Sequence, residues 1–109
     1  IPEVTVFFNL DSYKIDKDQY QKLEALADYL RKNTTTAATL VGYADDTTGN
    51  RESNQTLSDN RALSVREFLL SKQVSPTQCT AKGAGETSQF NQKIYDSNRR
   101  VLIVLTQKQ

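Results

Sequence analysis

Histidine is absent from this chain, and cysteine occurs once, at Cys79. These shortages remove zinc sites of the usual Cys/His kinds, Ser/His and Cys/His nucleophilic pairs, and any disulfide within the chain. A site made of carboxylates alone is the one metal option the residue types leave open; no metal or cofactor is expected. Cys79 sits in the alternation Cys79-Thr80-Ala81, where a small buried hydrophobe is the plain reading. Methionine is missing too, so a processed protein or an excised domain is expected rather than a complete primary translation product. No run approaches the ~20 apolar residues of a membrane helix, and no signal peptide is visible, so direct membrane insertion by this segment is not expected. An excess of either charge is also lacking, with 14 Lys and Arg against 13 Asp and Glu, a net +1. That balance argues against a nucleic acid or an anionic membrane held by bulk charge. Tyr13, Tyr20, Tyr29, Tyr43 and Tyr95 do not alternate with basic residues, which again gives nucleic-acid binding no support. Electrostatic recognition must therefore be local.

The 109 residues suffice for one domain with a real core and hardly for two. Ile1 to Leu10, with Val4, Thr5, Val6, Phe7 and Phe8, reads as a first strand, Pro2 being tolerated near its start. Asp16 or Asp18 can cap a helix with the stripe Tyr20, Leu23, Ala27 and Leu30, ending near Asn33. A second strand is expected over Ala37 to Tyr43, then a polar loop from Asp45 to Ser53 and a second helix from about Asn54 to Lys72. Ser75-Pro76 marks a turn, and Gln78 to Lys82 a short strand. Gly83-Ala84-Gly85-Glu86 opens a loop of about thirteen residues, longer than most connections. Val101 to Thr106 is apolar at five successive positions and is expected to be a last strand buried on both faces. The order is β-α-β-α-β-β, an α/β (α+β sandwich) class with two main helices on one face of a mixed four-stranded sheet. Repeats, linkers and low-complexity segments are absent, so residues 1–109 read as a single domain.

Arg61 breaks the apolar stripe Leu57, Val65, Leu69 of the second helix. A guanidinium there cannot shed its charge and needs water, an internal carboxylate or an anionic ligand. Sixteen residues earlier, Thr39 to Ala44 ends on Asp45-Asp46, at the carboxyl end of a strand where α/β proteins often bind ligands. Asp45 and Arg61 in one pocket suit a ligand carrying ammonium and carboxylate together. The competing reading is an internal Asp–Arg salt bridge tying strand to helix. Asn54 can supply amide hydrogen bonds or simply cap its helix. Asn98-Arg99-Arg100 and Asp11-Ser12-Tyr13 are further clusters, each also readable as an exposed turn. Gly83 to Glu86 lacks the spacing of a dinucleotide loop. Acid–acid hydrolysis by Asp45 and Glu86 is open by residue type alone, but neither acid is visibly placed in an apolar pocket.

Gly42-Tyr43-Ala44-Asp45, Gly49-Asn50, Asn54, Leu57-Ser58, Arg61-Ala62 and Ser64-Val65 resemble the pattern G-[YH]-[TA]-D…G…N-x-x-L-S-x-x-R-A-x-x-V. Gly83-Ala84-Gly85-Glu86 resembles a G-x-G-E turn, and Asn98-Arg99-Arg100-Val101 an N-R-R-V ending. In this order they are similar to the OmpA-like C-terminal domain of OmpA, peptidoglycan-associated lipoprotein and the flagellar stator proteins, in a Bacteroidetes-like form. The resemblance implies non-catalytic binding of peptidoglycan through the diaminopimelate of its stem peptide, anchoring the outer membrane to the wall. It implies that Asp45 and Arg61 hold the zwitterionic end of that residue and that Asn54 supports loop and ligand. Leu57 would line the pocket, with Asp11 and Arg99 as secondary contacts. The spacing from Gly42 to Asn54 is one residue longer than usual; counting from the strand selects Asp45 and counting from the helix selects Asp46, and the strand end is the firmer guide. Alanine at Asp45 or Arg61 is expected to abolish binding with little loss of fold, and an Asp45–Arg61 pair at rest is expected to open for ligand. The implied location is the periplasmic face of the outer membrane, as part of a longer outer-membrane protein. The partner is peptidoglycan, and a homodimer is admitted. The alternatives are the same scaffold used for protein interaction or oligomerisation, and a cell-wall hydrolase.

Overall fold

The computed structural model describes residues 3–47, 49–90 and 95–107. Strand β1 (Val4–Phe7) leads through a 3-10 turn (Lys17–Gln19) to helix α1 (Tyr20–Lys32). Strand β2 (Thr36–Asp45), helix α2 (Arg51–Ser71), a 3-10 turn (Pro76–Gln78), strand β3 (Cys79–Thr87), a 3-10 turn (Tyr95–Asn98) and strand β4 (Arg100–Gln107) follow. The expected order holds. The sheet runs β1-β4-β2-β3, with β4 antiparallel to both neighbours and β3 parallel to β2.

Alternation decides which face is buried. Val6, Ala38, Leu40, Val101 and Ile103 point inward and join Leu23, Leu26, Ala27 and Leu30 of α1 and Val65 and Leu69 of α2 in one core. Both helices thus cover the same face. β4 corrects the sequence reading: its apolar run is buried on one side only, and Leu102 and Val104 are half-exposed on the other. Among the described residues no helix covers that side, so a central strand stays partly open to solvent there, whatever its composition.

Several boundaries also moved. Residues 1 and 2 of the expected first strand lie outside the described residues, and β1 is only four residues long. α2 begins three residues before Asn54, because Asn50 is its cap: Asn50 Oδ1 accepts from Ser53 N at 2.8 Å while Ser53 Oγ accepts from Asn50 N at 3.1 Å. β3 continues through Gly83 to Glu86, which the sequence reading had assigned to a loop.

Two glycines let α2 lie directly on the sheet. A Cβ on Gly42 would sit 2.0 Å from the Ser58 carbonyl oxygen, and one on Gly83 would sit 2.4 Å from the Asp59 amide nitrogen. That contact fixes the height of α2 over the strands one turn before Arg61. The buried Gln78 amide donates to the carbonyls of Leu30, Asn33 and Thr36, fastening the end of α1 to the start of β2.

Both sheet edges are attended by long helical side chains. On β1, Lys22 donates to Thr5 O at 2.8 Å and Gln19 accepts from Phe7 N at 3.0 Å. On β3, Arg66 donates to Cys79 O at 3.0 Å and Gln55 to Gly83 O at 2.9 Å. Gly42→Ala should lower unfolding stability by about 2–3 kcal/mol, since backbone rather than a flexible side chain must yield. Urea denaturation checks this, and an unchanged midpoint would contradict the close contact.

Candidate functional site

Five residues singled out from the sequence meet in one place. Asp45 at the end of β2, Asn54, Leu57 and Arg61 on α2, and Asp11 after β1 line one narrow pocket, together with Leu10 and Ala44, and their side chains leave no room in it for a water molecule. Arg99, the sixth, reaches it from the opposite side through Asp45.

Arg61 has no exposed surface and is the largest fully buried side chain among the described residues. Its Nε donates to Ser12 O at 2.8 Å, Nη1 to Tyr43 O at 2.8 Å and Nη2 to Asn9 O at 3.0 Å. Its guanidinium carbon lies 5.4 Å from the centre of the Phe8 ring. Three carbonyl dipoles therefore take the place of the carboxylate expected for a cation on this stripe. Burial lowers its pKa to about 10, the Arg99 charge adds to the drop, and Asp45 and Asp11 oppose it. The group stays charged at neutral pH.

Asp45 is also buried, and its partners correct the expected resting pair. Its Oδ1 accepts from the amide and the hydroxyl of Thr47, at 3.1 and 2.6 Å, and its Oδ2 lies 3.4 Å from Arg99 Nη1. The ion pair of Asp45 among the described residues is with Arg99, not Arg61. The internal Asp45–Arg61 salt bridge, and its proposed opening on ligand arrival, are thus not what this structure contains. An Asx-type turn at Asp45-Asp46-Thr47 accounts for the difference, because it holds the carboxylate over the strand end. The Asp-x-Thr spacing was the signal for it. Asp46 is exposed and lines a separate groove with Arg51, Gln55 and Glu86, so the structure puts Asp45 rather than Asp46 beside Arg61. Thr48, where an extra loop residue was to be absorbed, lies outside the described residues.

Asn54 is not the helix cap. One turn inside α2 and buried, it donates from Nδ2 to Glu86 Oε2 at 3.0 Å, a link that the sequence reading missed. Asp11 is exposed with φ +54, a left-handed turn residue that also reaches the pocket wall. Neither member of the basic pair Arg99-Arg100 is a free surface cation. Arg99 holds Asp45, and the guanidinium carbon of Arg100 sits 3.8 Å from the centre of the Phe90 ring. Asn98 is buried and accepts from Phe90 N at 3.1 Å. A second groove of about 250 Å³ shares Asp11, Asn54 and Leu57 with the pocket and adds Tyr13, Ser53, Thr56 and Asn60. It offers amides, hydroxyls and one aromatic ring beside the charged pocket.

Residues 7–101 match the sequence model of the OmpA family. Outer membrane protein 41 of Porphyromonas gingivalis is 37% identical over 106 residues, which cover 95% of this chain and 26% of that protein. The peptidoglycan-associated lipoprotein of Agrobacterium fabrum is 32% identical over 104 residues, 92% of this chain and 58% of that protein. Among solved structures, the peptidoglycan-associated lipoprotein from Burkholderia pseudomallei superposes with a TM-score of 0.86 at 26% identity, over 94% of this chain and 89% of that one. The C-terminal domain of Helicobacter pylori MotB gives 0.80 at 26% identity, over 94% of this chain and 83% of that one. The chain spans about a quarter of the length of the Porphyromonas outer membrane proteins that it matches.

The three carbonyls on Arg61 revise the expectation that its loss would spare the fold. Arg61→Ala should cost roughly 3 kcal/mol by leaving buried acceptors unpaired. Asp45→Asn keeps an acceptor for Thr47 and should cost about 1 kcal/mol. Equal denaturation midpoints for Arg61→Ala and the unmodified protein would refute the assignment.

Proposed function

This chain belongs to the OmpA family, and on that footing we propose that it binds cell-wall peptidoglycan without catalysis, through the diaminopimelate of the stem peptide. The convergence of Asp45, Asn54, Leu57, Arg61 and Asp11 on one pocket, from three separate parts of the chain, carries the reading. Relatives named as peptidoglycan-associated lipoproteins support the partner. A zwitterionic ligand also fits the charge balance, since a +1 chain holds such a group through locally placed charges.

The chemistry follows from the two buried charges. The ammonium of the ligand pairs with Asp45, whose carboxylate is oriented by Thr47 and Arg99. The ligand carboxylate goes to Arg61. Charge-assisted, two-pronged guanidinium–carboxylate bonds are about twice as strong as bonds to neutral acceptors, so the ligand can displace the Asn9 and Ser12 carbonyls. Tyr43 O belongs to β2 and stays in place as the third acceptor. Asn54 and Leu57 form the shared wall between pocket and groove, and the rest of the stem peptide lies along Tyr13, Thr56 and Asn60. Asp11 and Arg99 act at the margins, the first at the mouth and the second by holding Asp45.

Hydrolysis is the weaker reading. Asp45 and Glu86 are each engaged by cationic or hydrogen-bonding partners, Arg99 and Thr47 for one and Asn54 and Arg51 for the other. Both carboxylates are thus tied into the fold, and neither sits alone in an apolar pocket of the kind that makes a general acid. We place the domain on the periplasmic side of the outer membrane as a module of a longer envelope protein, a placement supported by the names of its relatives. No helix among the described residues is long and apolar enough to cross a membrane.

Titration of the protein with a diaminopimelate-containing muropeptide, followed by calorimetry, should show saturable binding. Asp45→Asn should weaken it by about tenfold or more, while Asp46→Asn should stay within about twofold. Undiminished binding by Asp45→Asn, or equal losses in the two variants, would remove Asp45 from the site.

A further inference from the structure

From the path of β3 we infer that Glu86 is a positioning residue for the ligand site, acting through Asn54; this rests on the peptidoglycan-binding reading above. β2 and β3 run in register from Ala38 opposite Cys79 to Gly42 opposite Gly83. Beyond that point the register slips: Ala44 stands opposite Glu86, and Asp45 opposite Thr87. Two steps along β2 are matched by three along β3. Without the extra residue Gly85 would stand opposite Ala44, and the Glu86 side chain would fall on the other face of the sheet. The bulge turns Glu86 to the helix-facing side, where Ala44 is buried and Asn54 lies above it.

The local sequence makes this turn. Gly85 takes φ +82, a conformation that side-chain-bearing residues rarely adopt, and its N–H donates to Ser58 Oγ at 2.9 Å. Ser58, buried on α2, thereby pins the bulge to the same helix that carries Asn54 and Arg61.

Glu86 then sets the sense of the Asn54 amide. The Glu86 oxygen accepts from Asn54 Nδ2, which turns the Asn54 Oδ1 elsewhere. That oxygen lies on the side of the loop from β2 to α2: a Cβ on Gly49 would come within 3.1 Å of it. Arg51 Nε, 3.8 Å from Glu86 Oε1, steadies the carboxylate from the solvent side. Remove the acceptor and Nδ2 loses the partner that holds it toward β3, which changes the hydrogen bonding that Asn54 brings to the pocket wall.

The test compares Glu86→Ala and Glu86→Gln, alone and with Asn54→Ala, using muropeptide affinity and the side-chain amide NMR signals of Asn54 in ligand-free protein. Glu86→Ala should shift those signals and weaken binding by about tenfold, while Glu86→Gln, which keeps an acceptor oxygen, should stay within about threefold of the parent. In the Asn54→Ala background, Glu86→Ala should cause no further loss. Full affinity of Glu86→Ala, a glutamine variant as weak as the alanine one, or a further loss without Asn54 would each overturn the inference. If the parent protein does not bind muropeptide, the binding reading fails by itself. The Asn54 signals then decide the positioning role alone: unmoved signals in Glu86→Ala overturn it. Should the alanine variant fail to fold, the glutamine variant still reports through both measurements.

Discussion

A single guanidinium placed where a leucine would normally sit determines how the parts of this domain meet. Arg61 takes carbonyl oxygens from the segment after β1 and from the end of β2 while standing on α2. Three pieces of chain distant in sequence are thereby bound to one charged group in the interior. A hydrophobic side chain could fill the space but could not order the Asn9–Ser12 segment, because those carbonyls would lose their donors. The residue proposed for ligand binding is therefore also a strut, and the proposed role would draw on the N–H groups that the strut already uses.

The charges around it share the work. Arg99 and Thr47 hold Asp45, carbonyls hold Arg61, and the two opposite charges stay close enough to influence each other without forming the ion pair that would neutralise the site. Each charge is thus compensated inside the fold, Asp45 by Arg99 and Thr47 and Arg61 by three carbonyls.

The fold was legible in the sequence where its signals were local: α1 from the stripe Leu23, Ala27 and Leu30, β2 from the strand-like run through Thr39 to Ala44, and Asp45 and Arg61 from charges on otherwise apolar elements. What escaped was decided by contacts between elements. The strand character of Gly83 to Glu86 is invisible locally, since glycines weaken strand propensity, and it depends on α2 pressing on Gly42 and Gly83. Asn54 looked like a cap because Asn50, four residues earlier, offers the same chemistry and wins through Ser53. The Arg99 link to Asp45 joins residues 54 positions apart, beyond the reach of any spacing rule. The half-open face of β4 was misjudged because composition records apolarity and not the number of layers.

The guarded sheet edges have a consequence for how such a domain behaves in company. Lys22 and Gln19 on one border, and Arg66 and Gln55 on the other, occupy polar groups that a neighbouring chain would need in order to extend the sheet. A four-stranded sheet with bare borders would invite copies to join strand to strand when concentrated. Here each border answers first to its own helices, so crowding favours separate folded units over a continuous ribbon.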